Sequence, residues 1–307
     1  GDIRKKQLVG GWRAGSFCVL FAALFFSPSA ARACSTCRCG DPTLTLQGME
    51  KPYENRIRLS TEILYRTETF GTAGVDEEEI TEGRLHVGVA WTPSEYFSLG
   101  FLLPVVTKEL EETSGARDEG TGLGDVEFSG KIYLFRDSPA SPRHMAGILA
   151  GLRVPSAPEV ESGGVPLTVD AQPGQGQWVP SAGAWYGYYN FPFLAYASVQ
   201  GLFPSGTGFE QLDAGEALVG TLTGQYAFNY KFAVQLGLDS RWTQKNEFGG
   251  TPDPDSGGSL LALAPGVTWS PVEDLLVSVS GQIPVAKNLN GEQDEGPSVL
   301  GGIIYDL

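Results

Sequence analysis

The chain has 307 residues, among them 36 acidic and 21 basic side chains, which give a formal net charge of −15. Such acidity argues against nucleic acid as a partner, because binding to phosphates needs a basic surface. Aromatic residues are frequent, with 16 Phe, 11 Tyr and 6 Trp, as expected for strands that have one apolar face.

Residues 1–33 predict a secretory signal peptide. Basic residues at the start precede an apolar run at 17–26, and small residues at 27–33 fit the pattern that signal peptidase recognises. A membrane-spanning helix would need about 20 apolar residues, roughly twice the length of this run. A lipid anchor on Cys34 is the other alternative, but Ala31 and Arg32 fit poorly before a lipidated cysteine. We predict cleavage after Ala33, which leaves 16 basic and 35 acidic residues.

Residues 34–54 form a Cys-rich segment that we expect in the periplasm. Its cysteines are Cys34, Cys37 and Cys39, and in an oxidising compartment two of them would form a disulfide. Closely spaced thiolates would also suit copper(I) or zinc, although the absence of a nearby histidine leaves the zinc ligand set incomplete. A third alternative is that the segment docks a periplasmic protein.

From residue 55 to residue 307, about 12 stretches alternate apolar with polar residues, and the gaps between them are alternately short and long. This alternation is typical of an up-and-down antiparallel barrel in an outer membrane, with tight turns in the periplasm and long loops outside. The sequence therefore predicts an all-β transmembrane barrel of about 12 strands with both termini in the periplasm. The short gaps are 92–95, 137–143, 189–192, 228–231 and 270–274, and the long gaps are 71–79, 108–122, 155–177, 204–216, 243–258 and 286–296.

Within these stretches, apolar and charged residues take opposite faces. Ile57, Leu59 and Ile63 share one face of the first strand, whereas Arg58 and Glu62 share the other. A soluble sandwich would show the same alternation, so this pattern alone does not choose between the two folds. In a membrane barrel the charged face lines the lumen. The predicted lumen-lining residues are then Arg56, Arg58, Glu62, Arg84, His86, Asp125, Glu127, Lys131, Asp239 and Arg241.

The positions of the large aromatic residues favour the membrane barrel. Amphipathic rings prefer the headgroup level of a bilayer, whereas a sandwich core would scatter them along mid-strand. One set lies beside the short gaps: Trp91, Phe97, Phe135, Tyr188, Tyr189, Phe228, Tyr230 and Trp269. A second set lies at the opposite strand ends: Tyr65, Phe70, Trp178, Phe203 and Trp242.

Four segments, 121–135, 172–186, 263–271 and 281–291, resemble recurring segments of the outer-membrane barrel family labelled "MetA-pathway of phenol degradation". The resemblance covers residues 55–307. It implies a twelve-stranded barrel that passes small solutes, and the family label connects it with aromatic catabolism. It does not identify a substrate.

These observations predict a channel for passive passage of small solutes, including small aromatic or ionic compounds. Twelve strands close at a diameter of roughly 24 Å, which leaves a gap of about 10 Å between inward side chains. Acidic loops would bind divalent cations that bridge lipopolysaccharide, and they would favour cations over anions at the outer mouth. The alternative is a closed barrel with a structural or docking role, in which the lumen charges pair with one another.

An enzyme is disfavoured. Only two histidines occur, His86 and His144, and nothing like a nucleophile motif accompanies either. A lone histidine among lumen charges is more often a hydrogen-bonded filler. The sequence also carries no nucleotide-binding motif, so we expect transport without energy coupling.

Overall fold

The computed structural model describes residues 56–138, 142–272 and 274–307. The predicted signal peptide and Cys-rich segment, with Cys34, Cys37 and Cys39, lie outside these residues. Both assignments, and the boundaries between the three regions, therefore stay predictions.

The described residues are almost entirely β-structure. Two short 3-10 helices, Val169–Ala171 and Phe209–Gln211, lie between strands, and no helix in the described part of the chain is long and apolar enough to cross a membrane. The strands are β1 (Arg56–Phe70), β2 (Glu78–Ser94), β3 (Phe97–Glu112), β4 (Arg117–Leu123), β5 (Val126–Arg136), β6 (His144–Val154), β7 (Glu161–Ser162), β8 (Val165–Pro166), β9 (Val179–Asn190), β10 (Phe193–Leu202), β11 (Leu212–Asp213), β12 (Ala217–Ala227), β13 (Phe232–Thr243), β14 (Glu247–Phe248), β15 (Thr251–Pro252), β16 (Gly258–Val272), β17 (Leu275–Leu289), β18 (Gln293–Glu295) and β19 (Ser298–Asp306).

One antiparallel sheet closes on itself. Its order is β1-β2-β3, then β4 and β5 in turn along β3, then β6-β9-β10-β12-β13-β16-β17-β19, and β19 pairs back onto β1. Since β4 and β5 are two parts of one barrel strand, and β18 only extends the edge of β1, twelve strands form the wall. The predicted up-and-down antiparallel barrel of about 12 strands is confirmed.

The first and last strands meet at the rim that carries the short turns. Arg58 lies opposite Asp306, and the backbone N–H of Leu307 donates to the carbonyl oxygen of Ile57 at 2.7 Å. Both ends of the barrel wall therefore lie on the same side as the turns at 95–96, 191–192 and 228–231.

The predicted alternation of short and long connections matches the structure except at two gaps. In the gap 286–296, β17 extends to Leu289 and β18 pairs with β1. The larger difference is at the gap 108–122. There, β3 continues to Glu112 and β4 begins at Arg117, so only four residues connect them. Arg117 contacts Glu109 at 3.2 Å and Glu111 at 2.9 Å across this hairpin. Polar residues occupy both of its faces, so the apolar alternation that revealed the other strands is missing here.

Exposure alternates along the strands as expected for a barrel wall. Along β1, Ile63 and Tyr65 are 60% and 52% exposed, whereas the neighbouring Glu62, Leu64 and Arg66 are buried. The outer surface thus presents apolar side chains around the barrel, and the opposite face carries the buried polar groups.

Two of the aromatic residues predicted for the interfacial sets are not on the outer surface. Tyr189 packs with Trp185 in an internal cluster, and Phe70 packs with Ile80 and Leu110. Tyr189 is an even number of residues from Trp185 and so shares its inward face. Nearness to a turn was therefore a weaker guide than strand parity. The remaining rings beside short turns that are strongly exposed are Trp91, Phe97, Phe135, Phe228, Tyr230 and Trp269.

Candidate solute passage

The residues predicted for the lumen are all at least half-buried. Arg58, Glu62, His86, Asp125, Lys131 and Arg241 are buried, and Arg56, Arg84, Glu127 and Asp239 are half-buried.

Most of these residues lie beside a partner of opposite charge or a hydrogen-bonding group. Arg58 Nε lies 2.8 Å from the Asp306 carboxylate, and His86 Nδ1 lies 3.5 Å from that of Glu62. Arg153 approaches Glu127 at 3.8 Å. Arg56 also pairs with Asp306, and Arg241 pairs with Glu295.

A charged network on β1 and β2 contains Arg84 from the predicted lumen set, together with Arg66, Glu68 and Glu82, which that set did not include. Arg66 donates to Glu82 at 2.7 Å and also pairs with Glu68, while Arg84 reaches the other oxygen of Glu82 at 2.5 Å. Glu82 is only 1% exposed, so two arginines compensate one deeply buried carboxylate. Strand alternation could have revealed this network, because Arg66 lies on the same strand face as Arg58, and Glu82 lies on the same face as Arg84.

Two further buried charges could not be found from strand parity. Lys108 lies on β3, in the stretch predicted to be a loop, and Asp170 lies in a short 3-10 helix. Both are buried on the inner side of the wall, where that helix contacts β3.

The connection 155–178 folds against the inner face of the barrel, and we call it the inward loop. Asp125 anchors it from the interruption between β4 and β5. Its Oδ1 accepts from the backbone N–H groups of Ser156 and Ala157, both at 3.1 Å, and its Oδ2 accepts from that of Gln175 at 2.8 Å. A carboxylate that accepts several backbone N–H groups is a strong local anchor.

Close backbone contact also holds the inward loop against β4. A Cβ at Gly120 would lie 2.0 Å from the carbonyl oxygen of Ala171, so only glycine permits this approach. Within the loop, the side chain of Gln172 accepts from the backbone N–H of Val160 at 2.8 Å and donates to the carbonyl oxygen of Leu167 at 2.9 Å. The loop is therefore a packed part of the interior.

Bulky side chains fill the inner face of the wall formed by β5, β6, β9 and β10. The Nζ of Lys131 lies 4.2 Å from the Trp185 ring centroid and 4.8 Å from that of Tyr196, a cation–π arrangement. The two rings stack at 6.1 Å. The cluster also contains Tyr133, Met145, Leu149 and Tyr189.

Small side chains occupy part of the corresponding face of β16, β17 and β19, and we call this part the small-residue wall. Register pairs Gly266 with Ser280, and Ser278 with Gly302, across neighbouring strands. In a closed ring of twelve strands, β16 to β19 stand opposite β5 to β9. The strands that carry these small residues thus lie across the ring from the strands that carry the bulky cluster.

A cavity lies above the small-residue wall, toward the long loops. The space inside it that a water-sized sphere can occupy is about 30 Å³. Arg241, Glu295, Asp239 and Gln282 contribute to its lining, together with apolar side chains of β1 and β16. Asp239 accepts from the hydroxyl of Thr221 at 2.9 Å and from the amide of Gln282 at 2.7 Å.

These features define a closed β-barrel of the outer-membrane type with a polar interior. The fold is similar to the crystal structure of the COG4313 outer membrane channel from Pseudomonas putida F1, with a TM-score of 0.66 and 13% identity over 87% of this chain and 100% of that one. At this identity the likeness shows the fold alone. No protein-family model and no curated protein sequence matches the chain.

Two further solved barrels match with lower TM-scores. The translocator domain of the autotransporter NalP from Neisseria meningitidis has a TM-score of 0.48 at 12% identity, and covers 86% of this chain and 92% of that one. The CymD monoaromatic hydrocarbon channel has a TM-score of 0.45 at 10% identity, and covers 89% and 98%. Likeness at this level supports no conclusion about what this chain transports.

Proposed function

We propose that the protein is an outer-membrane channel for passive passage of small solutes, with both termini in the periplasm. The observation that carries this proposal is the unequal filling of the barrel. Large inward side chains such as Trp185 and Tyr196 lie on one side of the ring, and small residues such as Ser280 and Gly302 lie on the other.

The likeness to the COG4313 channel supports the proposal, because that protein is an outer-membrane channel with the same fold over its whole length. From the sequence segments noted above, we also propose kinship with the "MetA-pathway of phenol degradation" family. On this proposal the barrel contacts outer-membrane lipid and lipopolysaccharide, and the lumen is lined by the predicted charged residues.

The interior charges are mixed and largely paired, so they create little net field. The excess of acid lies toward the long loops, for example at Asp76 and Glu77, and on the β3–β4 hairpin at Glu109 and Glu111. Negative potential at one mouth raises the local concentration of cations. We propose a weak preference for cations over anions, which should fade as salt screens the surface.

Planar-bilayer recording tests the channel. Purified barrel should give discrete conductance steps, and a reversal potential under a salt gradient should show cation preference at low salt. Ser280→Trp would fill the small-residue wall and should lower the unit conductance. Leu134→Trp, on the exposed outer face, is the matched control and should leave it unchanged. A folded barrel with no conductance, or one with equal loss in both variants, would contradict the proposal.

One observation favours the second candidate, a closed barrel that docks a partner through its N-terminal segment. The inward loop already covers β3 and β4 from inside, and buried ion pairs such as Arg66–Glu82 fill space. This candidate predicts no conductance, together with capture of a periplasmic protein, or binding of copper or zinc, that is lost when Cys34, Cys37 and Cys39 are replaced by serine.

A further inference from the structure

Part of the inner surface on β12, β13, β16 and β17 presents hydroxyl and amide groups that water can reach. We propose that this part selects uncharged solutes with several hydroxyl groups, that is, small polyols. The inference rests on the proposed channel and deepens it, because it names the class of solute. We call this part the hydroxyl–amide face, and it consists of Gln225, Gln235, Thr268, Ser278 and Ser280.

Strand alternation places this face inside the barrel. Val267 precedes Thr268 and is 42% exposed, and Val279 follows Ser278 and is 50% exposed. Both valines point outward, so the residues next to them point inward. All five side chains of the hydroxyl–amide face are half-buried, which leaves part of their surface open to water in the interior.

The inner face of β1, β2 and β3 differs, because its charged side chains are packed. Arg58, Arg66, Glu82 and Lys108 are all buried. Arg66 pairs with Glu82 at 2.7 Å, and Arg58 pairs with Asp306 at 2.8 Å. Charges engaged in this way hold the wall together, and a solute would have to break their pairs to bind them.

The strands around the hydroxyl–amide face carry few charges. The strands β9, β10, β12 and β16 contain no charged residue, and β17 contains only Lys287, near the long loops. On β13, Asp239 and Arg241 also lie toward the long loops, where they contact Gln282 and Glu295. From these positions to the short turns, the inner side of β12, β13, β16 and β17 is uncharged.

The pairing register joins these groups across four adjacent strands. Gln225 lies opposite Gln235, Gln235 lies opposite Gly266, and Gly266 lies opposite Ser280. A Cβ at Gly266 would lie 2.8 Å from Gln235 Nε2, so the amide of Gln235 reaches over the glycine. Among the described residues, none of the five side chains of this face is hydrogen-bonded to another protein group. Their donors and acceptors are therefore available to a solute.

The chemistry of these groups matches a polyol. Hydroxyl and amide side chains both donate and accept hydrogen bonds, and so do the hydroxyl groups of a polyol. A polyol can thus exchange its hydrogen bonds to water for hydrogen bonds to this face. An ion of similar shape gives up more hydration, and the face has no opposite charge that replaces it. The face therefore favours the neutral solute over an anion or a cation.

Efflux from proteoliposomes that contain the full barrel tests the inference. The liposomes are loaded with equal concentrations of sorbitol, gluconate and glucamine, which share one polyol skeleton and are neutral, negative and positive at neutral pH. The amount of each solute that remains is measured over time against protein-free liposomes, and KCl conductance is recorded in planar bilayers. We expect sorbitol to leave about tenfold faster than either ion, with glucamine ahead of gluconate.

Three variants separate this face from the rest of the barrel. Gln235→Leu keeps the approximate size of the side chain and removes the amide, and Thr268→Val keeps the shape and removes a hydroxyl. Each should slow sorbitol about threefold and leave KCl conductance nearly unchanged, because one hydrogen-bonding group is lost. Thr61→Val makes the same change as Thr268→Val on the exposed outer face of β1 and should leave all three efflux rates unchanged.

The possible failures are distinct. Sorbitol that leaves no faster than the two ions, through a barrel that conducts KCl, would remove the selection and keep the channel. Equal effects of Thr268→Val and Thr61→Val would also overturn the role of the hydroxyl–amide face. A folded barrel with neither conductance nor efflux would remove the channel, and this inference with it.

Discussion

Removing the Asp125 side chain should detach the inward loop while leaving the barrel closed. The carboxylate accepts three backbone N–H groups, from Ser156, Ala157 and Gln175, and it is 5% exposed. Hydrogen bonds to a charged acceptor contribute about 1.5–3 kcal/mol each, and they are not additive when they share one group. We therefore expect Asp125→Ala to weaken attachment of the loop by about 3 kcal/mol, or roughly a hundredfold in the open population.

Hydrogen exchange followed by mass spectrometry measures this opening. Peptides that contain the amides of Ser156, Ala157 and Gln175 should exchange roughly a hundredfold faster in Asp125→Ala, whereas peptides from β1 and β19 should keep their protection. Glu119→Ala, which removes an exposed carboxylate from the same barrel strand, is the control. Unchanged exchange in the loop, or loss of protection over the whole barrel, would refute the assignment of Asp125 as its anchor.

Three further changes test other contacts. Gly120→Ala would place a methyl group against a carbonyl oxygen of the inward loop and should cost about 1–3 kcal/mol in urea unfolding, whereas Gly224→Ala, with no atom near its Cβ position, should cost little. Arg66→Ala leaves buried carboxylates without their main partner and should destabilise the barrel by about 3–5 kcal/mol, against under about 1 kcal/mol for Arg117→Ala on the exposed hairpin. Asp253→Asn should make the loop 244–257 less sensitive to pH.

The reduced pH sensitivity expected for Asp253→Asn follows from the burial of the Asp253 side chain. Desolvation of Asp253, which is 4% exposed, raises its pKa, so its ionised form opposes the folded loop. Stability contributed by the protonated form is complete below the pKa of the unfolded chain, and it is lost as pH rises through the folded pKa. Hydrogen exchange in 244–257, corrected for intrinsic rates, should therefore show a loop that loosens with rising pH. Asparagine at this position should remove most of that dependence, and an identical pH profile would contradict the reasoning.

The prediction of the barrel rested on the alternation of apolar and polar residues along the strands. This alternation assigned strand faces correctly where one face is apolar. The two faces of β1 were assigned correctly, with Ile63 and Tyr65 on one face and Glu62 on the other. A period of two is enforced whenever one side of a strand is apolar. The β3–β4 hairpin was not predicted, because polar residues occupy both of its faces. Glu109 and Arg117 were therefore placed in a loop, although they lie in paired strands.

The candidate site was predictable only in part, for a related reason. Arg84, Asp239 and Arg241 follow strand periodicity, so parity could select them. Asp170 and Glu295 reach the interior from connections, and no periodicity marks them. The role of Asp125 as an anchor depends on where the 24-residue connection after β6 folds back, and that is a property of tertiary packing.

The pairing of β1 with β19 bears on how the molecule is made. Arg58 and Asp306 are 248 positions apart, yet their strands complete the wall. No circular structure can form until the last strand has been synthesised and delivered, so every earlier stage must present an unpaired strand edge to its surroundings. Deletion of the strand β19 should therefore leave an open sheet whose two unpaired edges can pair with other chains.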